Sequence, residues 1–145
     1  IHPAIGRQPG KDYIRSWQME PLPIAALAGL TPPDVAIRFF DDRMEKIDFD
    51  APADLVAIPV ETYTAKRAYQ IASEYRRRRV PVVMGGFHAT LAPDEVARYA
   101  DCVVEGEAET TWPHVIDDAR RGQLQPRYRA ASQPCLSQIR YDRSV

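Results

Sequence analysis

His88 lies in the stretch VPVVMGGFHAT (residues 80–90), directly after a glycine pair that closes a run of β-forming residues. Imidazole ligates metals and carries protons near neutral pH, and carboxylates that could share a metal with it recur at Glu105, Glu107 and Glu109. No second ligand stands at a fixed spacing from His88, so a histidine hydrogen-bonded in a pocket wall is the plainer reading. His2 and His114 are isolated and receive no role. The glycines suggest a different chemistry. Gly85 and Gly86 open backbone angles closed to other residues and let a ligand lie against bare main chain, although an ordinary tight turn would use the same pair. The dinucleotide pattern GxGxxG and the phosphate loop GxxxxGK[ST] are both absent. No nucleophile is paired with a base and no carboxylate dyad emerges, so catalysis by these residues alone is not expected.

These residues fall after strands. VAIRFF (35–40), DLVAIPV (54–60), VPVVM (80–84) and DCVVE (101–105) read as strands, and Ile1-His2-Pro3 reads as the end of another, so the chain looks like a piece of a longer polypeptide. Helical patterns separate them. From Thr64, a plausible N-cap, Ala65, Ala68, Tyr69, Ala72 and Tyr75 recur at three- and four-residue intervals. Pro93 with Asp94 and Glu95 has the chemistry of a first helical turn. Trp112, Val115, Ile116 and Ala119 repeat the spacing up to Gly122, and Pro23 to Gly29 suggests a short helix of small residues that packs closely. The alternation predicts an α/β domain, a five-stranded parallel sheet wrapped by helices. Ligands in such sheets sit outside the carboxyl ends of the strands, where the loops at Ile5-Gly6, Asp41-Asp42, Glu61-Thr62, Gly85 to His88 and Glu105 to Glu109 lie.

Asp41-Asp42 at a strand end resembles the paired-acid pocket of a signalling receiver domain. Asp54, however, opens its strand instead of ending it, and glycines stand where a receiver places lysine. The loop from Gly6 to Pro21 is long and carries Tyr13, Trp17 and Met19, which favours a binding loop over a linker. Pro126 to Val145 has no sustained period and reads as a linker.

Composition excludes several classes. With 19 basic and 20 acidic residues the net charge is −1, so the field that gathers nucleic acid or anionic lipid is missing, and Arg76 to Arg79 read as a solvated helix end. No apolar run approaches the roughly 20 residues that span a bilayer, and a cytoplasmic location is expected. Two cysteines, Cys102 and Cys135, have neither disulfide-framework nor metal spacing, and Cys102 in ADCVV reads as a buried, inert thiol.

Read together, PLPIAALAGLTP, FFDDR, DLVAIPVETYTAKRAYQIASEYR and VPVVMGGFHATLAPDEVARYADCVVEGEAE resemble the cobalamin-binding domain of cobalamin-dependent radical SAM enzymes, over about residues 1–125. Within that family the sequence is similar to the group labelled anaerobic magnesium-protoporphyrin IX monomethyl ester oxidative cyclase, a label that also covers methyltransferases. The tail, residues 126–145, is similar to the linker that precedes the radical SAM barrel of the same polypeptide. The resemblance implies a flavodoxin-like (Rossmann-like) three-layer αβα domain, with the corrin over the strand carboxyl ends and the nucleotide arm threaded beside the sheet. Gly85 and Gly86 would leave a channel for the arm, Phe87, His88 and Thr90 would line it or touch the corrin rim, and Ile5, Gly6, Trp17, Glu61, Thr62, Glu105, Gly106 and Glu107 would complete the surroundings. The motif DxHxxG is missing from HPAIGRQPG, so no protein histidine is expected beneath the cobalt. Relatives often carry serine where this chain has Pro59, which offers neither hydroxyl nor N–H. CxxxCxxC is also missing, so the 4Fe–4S cluster and S-adenosylmethionine would belong to the barrel, as would the small-molecule substrate and its methylation or cyclisation. A cobalamin-free scaffold of the same fold and a receiver-like domain are the alternatives.

Overall fold

The computed structural model describes residues 1–5, 21–131, 141, 142 and 144. Its centre is a parallel sheet that, among these residues, has four strands in the order β1-β2-β3-β4: β1 Val56–Pro59, β2 Val82–Gly85, β3 Cys102–Glu105 and β4 Arg127–Arg129. The helices are α1 Leu22–Leu30, α2 Ala65–Arg77, α3 Phe87–Leu91, α4 Pro93–Val96 and α5 Trp112–Arg120, with a 3-10 turn at Ala108–Thr110 before the last. Side chains alternate across each strand, and the two faces receive different layers. Val56, Ile58, Val82, Met84 and Val103 pack with Ala68, Ile71, Ala72 and Tyr75 of α2. Ala57, Val83, Cys102 and Val104 face Trp112, Val115 and Ile116 of α5 and Leu27 and Leu30 of α1. The result is the flavodoxin-like αβα arrangement expected from the sequence, with a different strand count.

That difference has two sources. The expected strand at 35–40 forms no ladder: the neighbouring segment contributes only Ile1 and His2 to this edge, and a single parallel bridge joins His2 to Asp41. The order is nonetheless that of a longer sheet. His2 N–H donates to the Phe40 carbonyl (2.9 Å), and the Ile1 amine to that of Ala57 (2.7 Å), so residues 1–2 lie between residue 40 and β1. On the far side, Arg127–Arg129, read from sequence as linker, instead pairs with β3 as an edge strand. Arginine at alternate positions gives no apolar signal, and such charged edges keep a sheet from pairing further.

Local chemistry mostly follows the sequence. The α2 stripe faces the sheet, with Ile71 and Ala72 fully buried. Thr64 precedes α2, but its hydroxyl does not cap it: it accepts from Glu61 N–H (3.0 Å) and donates to the Glu61 carbonyl (3.1 Å), closing a turn at the end of β1. Gly122, at φ 66°, terminates α5 as expected, with Gln123 N–H donating to the Asp118 carbonyl (2.8 Å). Cys102 is fully buried, and burial pushes its thiol up to about 12.

Asp41 and Asp42 are structural. Asp42, fully buried, accepts two bonds from Arg67 of α2, both 2.8 Å, and one from Ala4 N–H at 3.1 Å. Burial raises the Asp41 carboxyl, but the hydrogen bonds from Arg43 outweigh it and hold the group below the usual carboxylate range. Breaking a buried pair from one side leaves an uncompensated charge. Arg67→Met is therefore expected to cost about 3 kcal/mol in urea unfolding, and Asp42→Asn added to it should recover part of that loss.

Candidate cofactor-binding site

The loop after β2 is built by two glycines with separate tasks. Gly86 sits at φ 95°, and a Cβ placed there would lie 3.0 Å from Val60 N and 3.1 Å from Val60 O, atoms of rigid main chain. The close approach is used: Val60 N–H donates to the Gly85 carbonyl (2.8 Å) and His88 N–H to the Val60 carbonyl (3.0 Å). Gly85 is unconstrained by comparison. A Cβ there would make ordinary contact with Val104, at 3.5 Å, on the face shared with α1 and α5. Thr90, one turn into α3, ties two loops together, its hydroxyl donating to the Gly86 carbonyl (3.1 Å) and accepting from Gly106 N–H (2.9 Å).

Along that face runs a groove of about 570 Å³, of the size that takes small molecules. Its floor comes from Ala57, Val83, Gly85 and Val104, one wall from Leu22, Ala26 and Leu27 of α1, and the other from Ala108 and Trp112. Glu61, Glu107 and Glu109 also line it, contributed by the loops at the carboxyl ends of β1 and β3. Phe87 and Leu22 border the same groove and are 62 % and 43 % exposed, large apolar groups left facing water.

Of the residues predicted from sequence, the groove brings together Glu61, Gly85, Gly86, Phe87, Thr90, Gly106 and Glu107. His88 does not join them. Its ring is buried and held from both sides, Nδ1 3.3 Å from Thr62 Oγ1 and Nε2 3.2 Å from the Tyr69 hydroxyl, which donates to Glu95 (3.0 Å). Burial first, and then the bond to Glu95, hold the Tyr69 hydroxyl protonated well above the usual phenol range. Thr62 is thus a partner of His88 rather than a groove residue. Glu105 is buried against β4, accepting from Arg129 Nε (3.0 Å) and Nη2 (2.6 Å) with Arg127 alongside. Ile5 is 46 % exposed and does not line the groove. Gly6 and Trp17 lie outside the described residues. His2 and His114 do not line the groove, and no group of three or more His, Cys, Asp or Glu among the described residues is placed to hold a metal.

Sequence reasoning missed Ala57, Val83, Leu27, Trp112 and Tyr141, all of which line the groove, as does Glu109 of the candidate loop after β3. Trp112 read only as helix core, which it also is: it is buried, and its Nε1–H donates to Thr31 Oγ1 (2.9 Å). A usable signal was the small residue at alternate positions, Ala57 in β1 and Gly85 in β2, on one face of strands otherwise rich in Val and Ile. Tyr141 belongs to the tail, whose Asp142 N–H donates to the Ala25 carbonyl of α1 (2.9 Å).

A parallel sheet with an apolar groove opening at its strand carboxyl ends defines a ligand-binding α/β domain. The B12 binding domain family model matches residues 20–116, and the chain belongs to that family. It is 39 % identical over 117 residues to bacteriochlorophyllide d C-8(2)-methyltransferase of Chlorobaculum tepidum, covering 80 % of this chain and 26 % of that protein. It is 32 % identical over 114 residues to bacteriochlorophyllide d C-12(1)-methyltransferase of the same organism, covering 77 % and 25 %. An uncharacterized methyltransferase of Pyrococcus horikoshii matches at 30 % over 115 residues, covering 70 % and 25 %. The chain therefore spans about a quarter of the length of these curated relatives. No solved structure gives a significant match. No helix among the described residues is long and apolar enough to cross a membrane.

The residues present fit a cobalamin: the space over Gly85 is a cradle that a larger side chain would enter, and the groove of about 570 Å³ lies beside the sheet from Gly85 to Val83 and Ala57. The two glycines should respond differently to substitution. Gly86→Ala forces a Cβ onto Val60 main chain at positive φ and is expected to cost about 2–3 kcal/mol in urea unfolding. Gly85→Ala should stay within about 1 kcal/mol of the parent.

Proposed function

We propose that this domain holds cobalamin with its corrin across the carboxyl ends of β1, β2 and β3 and its nucleotide arm in the groove. A radical SAM barrel on the same polypeptide, carrying the 4Fe–4S cluster and S-adenosylmethionine, then uses the cofactor to methylate a small-molecule substrate. One observation supports the reading above others: a groove bared by Gly85 runs down the sheet from the carboxyl ends, in a chain of the B12-binding family. Methyl transfer is favoured over cyclisation because the three relatives carry methyltransferase names.

When bound, cobalamin supplies the organometallic chemistry of carrying a methyl group, which no side chain offers. The chain's own residues bind and orient. Gly85 admits the arm, and Gly86, pinned to Val60, fixes the height of the loop beneath the ring. Thr90 locks that loop to Gly106, so the β2 and β3 ends present one rim. Phe87 and Leu22 offer apolar surface whose covering by the ring removes water from the mouth. His88 braces α3 against α2 through Tyr69 and Glu95, and supplies no ligand from that position.

The test is a reconstitution. Hydroxocobalamin is added to the full-length gene product, the excess is removed and the visible spectrum recorded; a stoichiometric corrin spectrum is expected. Gly85→Leu should lose it while keeping the parent's unfolding midpoint, because the added side chain fills the groove rather than the core. His88→Gln should retain the spectrum unshifted. A Gly85→Leu protein that holds the corrin as tightly as the parent refutes the placement.

A further inference from the structure

The groove carries more than a place for the arm; its chemistry discriminates between arms. Resting on the reading of the groove as the seat of the nucleotide arm, we infer that its floor selects corrinoids whose arm ends in an apolar aromatic base, of benzimidazole or phenol type, over those ending in a purine. The floor and walls at Leu27, Ala57, Val83, Val104 and Trp112 are hydrocarbon. The polar atoms beside them are already satisfied within the protein. Trp112 Nε1–H donates to Thr31 Oγ1 (2.9 Å), and the Thr31 hydroxyl donates to the Leu27 carbonyl (2.6 Å). The strand backbones here are spent on the sheet ladder.

Polar lining residues are held elsewhere. Glu61 and Glu107 come from loops at the carboxyl ends of the strands, as does Gly106; Glu109 lies in the 3-10 turn after β3, Thr90 in α3 has its hydroxyl engaged by Gly86 and Gly106, and Tyr141 is 46 % exposed. Val83 lies two residues below Gly85 on the same strand, roughly 7 Å deeper. A base reaching that depth leaves water and, among the described residues, meets no free donor or acceptor. A methylated benzene ring loses nothing by this. Adenine loses the solvation of an exocyclic amine and of ring nitrogens, and each buried polar group without a partner weakens binding severalfold or more.

The experiment compares three corrinoids on the full-length protein by equilibrium titration: a phenol-based cobamide, an adenine-based cobamide and cobinamide, which has no nucleotide. Phenol does not coordinate cobalt and adenine does so weakly, so detaching the base costs little in either case. The phenol-based form is expected to bind at least about tenfold more tightly than the adenine-based one, and more tightly than cobinamide. Equal affinities for the two cobamides, both above cobinamide, or tighter binding of adenine, overturn this inference and leave the proposed function standing. Equal affinities for all three overturn the placement of the arm, and binding of none overturns the proposed function itself. Ala57→Ser adds a hydroxyl to the floor and is expected to narrow the preference severalfold with cobinamide affinity unchanged; an unchanged preference removes the selection from the floor.

Discussion

The geometry of the site depends on one contact, the approach of Gly86 to the main chain of Val60. At φ 95° and with no Cβ, Gly86 lets the end of β2 lie against the end of β1 closely enough for Val60 to bond both Gly85 and His88. That fixes where β2 stops and where α3 starts. Everything downstream inherits the position: Thr90 reaches Gly106 only because α3 begins there, and the rim formed by the β2 and β3 loops is closed by that hydroxyl. Left-handed backbone is costly for residues with side chains, and such positions cluster at functional sites because the surrounding structure over-determines them. Here the determination comes from β1, whose Val60 N–H, on the same edge as that of Val56, makes the last bond of the ladder to Gly85.

The two faces of the sheet divide stability from function. On the α2 face the volume is filled by Ile58, Ile71, Met84, Val103 and Tyr75, each 2 % exposed or less. His88, though it follows the glycines, turns to that side and is consumed in holding α3 to α2. On the other face β2 steps from Val83 down to Gly85 and β1 presents Ala57 and Pro59, while α1 and α5 stand on either side. The groove opens where Gly85, level with Val104 of β3, places no side chain between the two helices. Dense packing on one face makes tolerable an unfilled surface on the other.

How much of this was legible in the sequence depends on the kind of signal each residue gives. Runs of Val, Ile and Met mark the three central strands, and alternating small and aromatic residues mark α2; both patterns report burial, which sequence encodes directly. The glycine pair marked the site because a Cβ is the thing it lacks. The direction of a side chain is another matter. His88 and Glu105 stand at the right place along the chain, yet the pleat and the pull of Tyr69 and of Arg127 and Arg129 carry them to the opposite face. Tyr69 is 19 residues from His88 and Arg129 is 24 from Glu105, and no local pattern links them. The strand at 127–129 hid for a related reason, since an edge strand faced with arginine satisfies its neighbours by charge and leaves no hydrophobic period.

The sheet topology alone would suit a signalling receiver as well as a cofactor-binding domain, because fold does not carry function. What separates them is which carboxylates have been neutralised. A receiver needs its acid pair open to a divalent cation, whereas Asp41 and Asp42 each face an arginine in bidentate geometry, and Asp42 has no exposed surface at all. Glu105 is likewise bound by arginine. Among the described residues no arginine pairs with Glu61, Glu107 or Glu109, the carboxylates that line the groove, and the rest of that lining is mostly apolar. Such a surface has little to offer a small hydrated ion or a phosphate and much to offer a large, mostly apolar guest with hydrogen-bond donors on its perimeter. The arrangement of spent and unspent charge, read residue by residue, thus reaches the same class of ligand as the steric argument from the glycines, and does so from independent atoms.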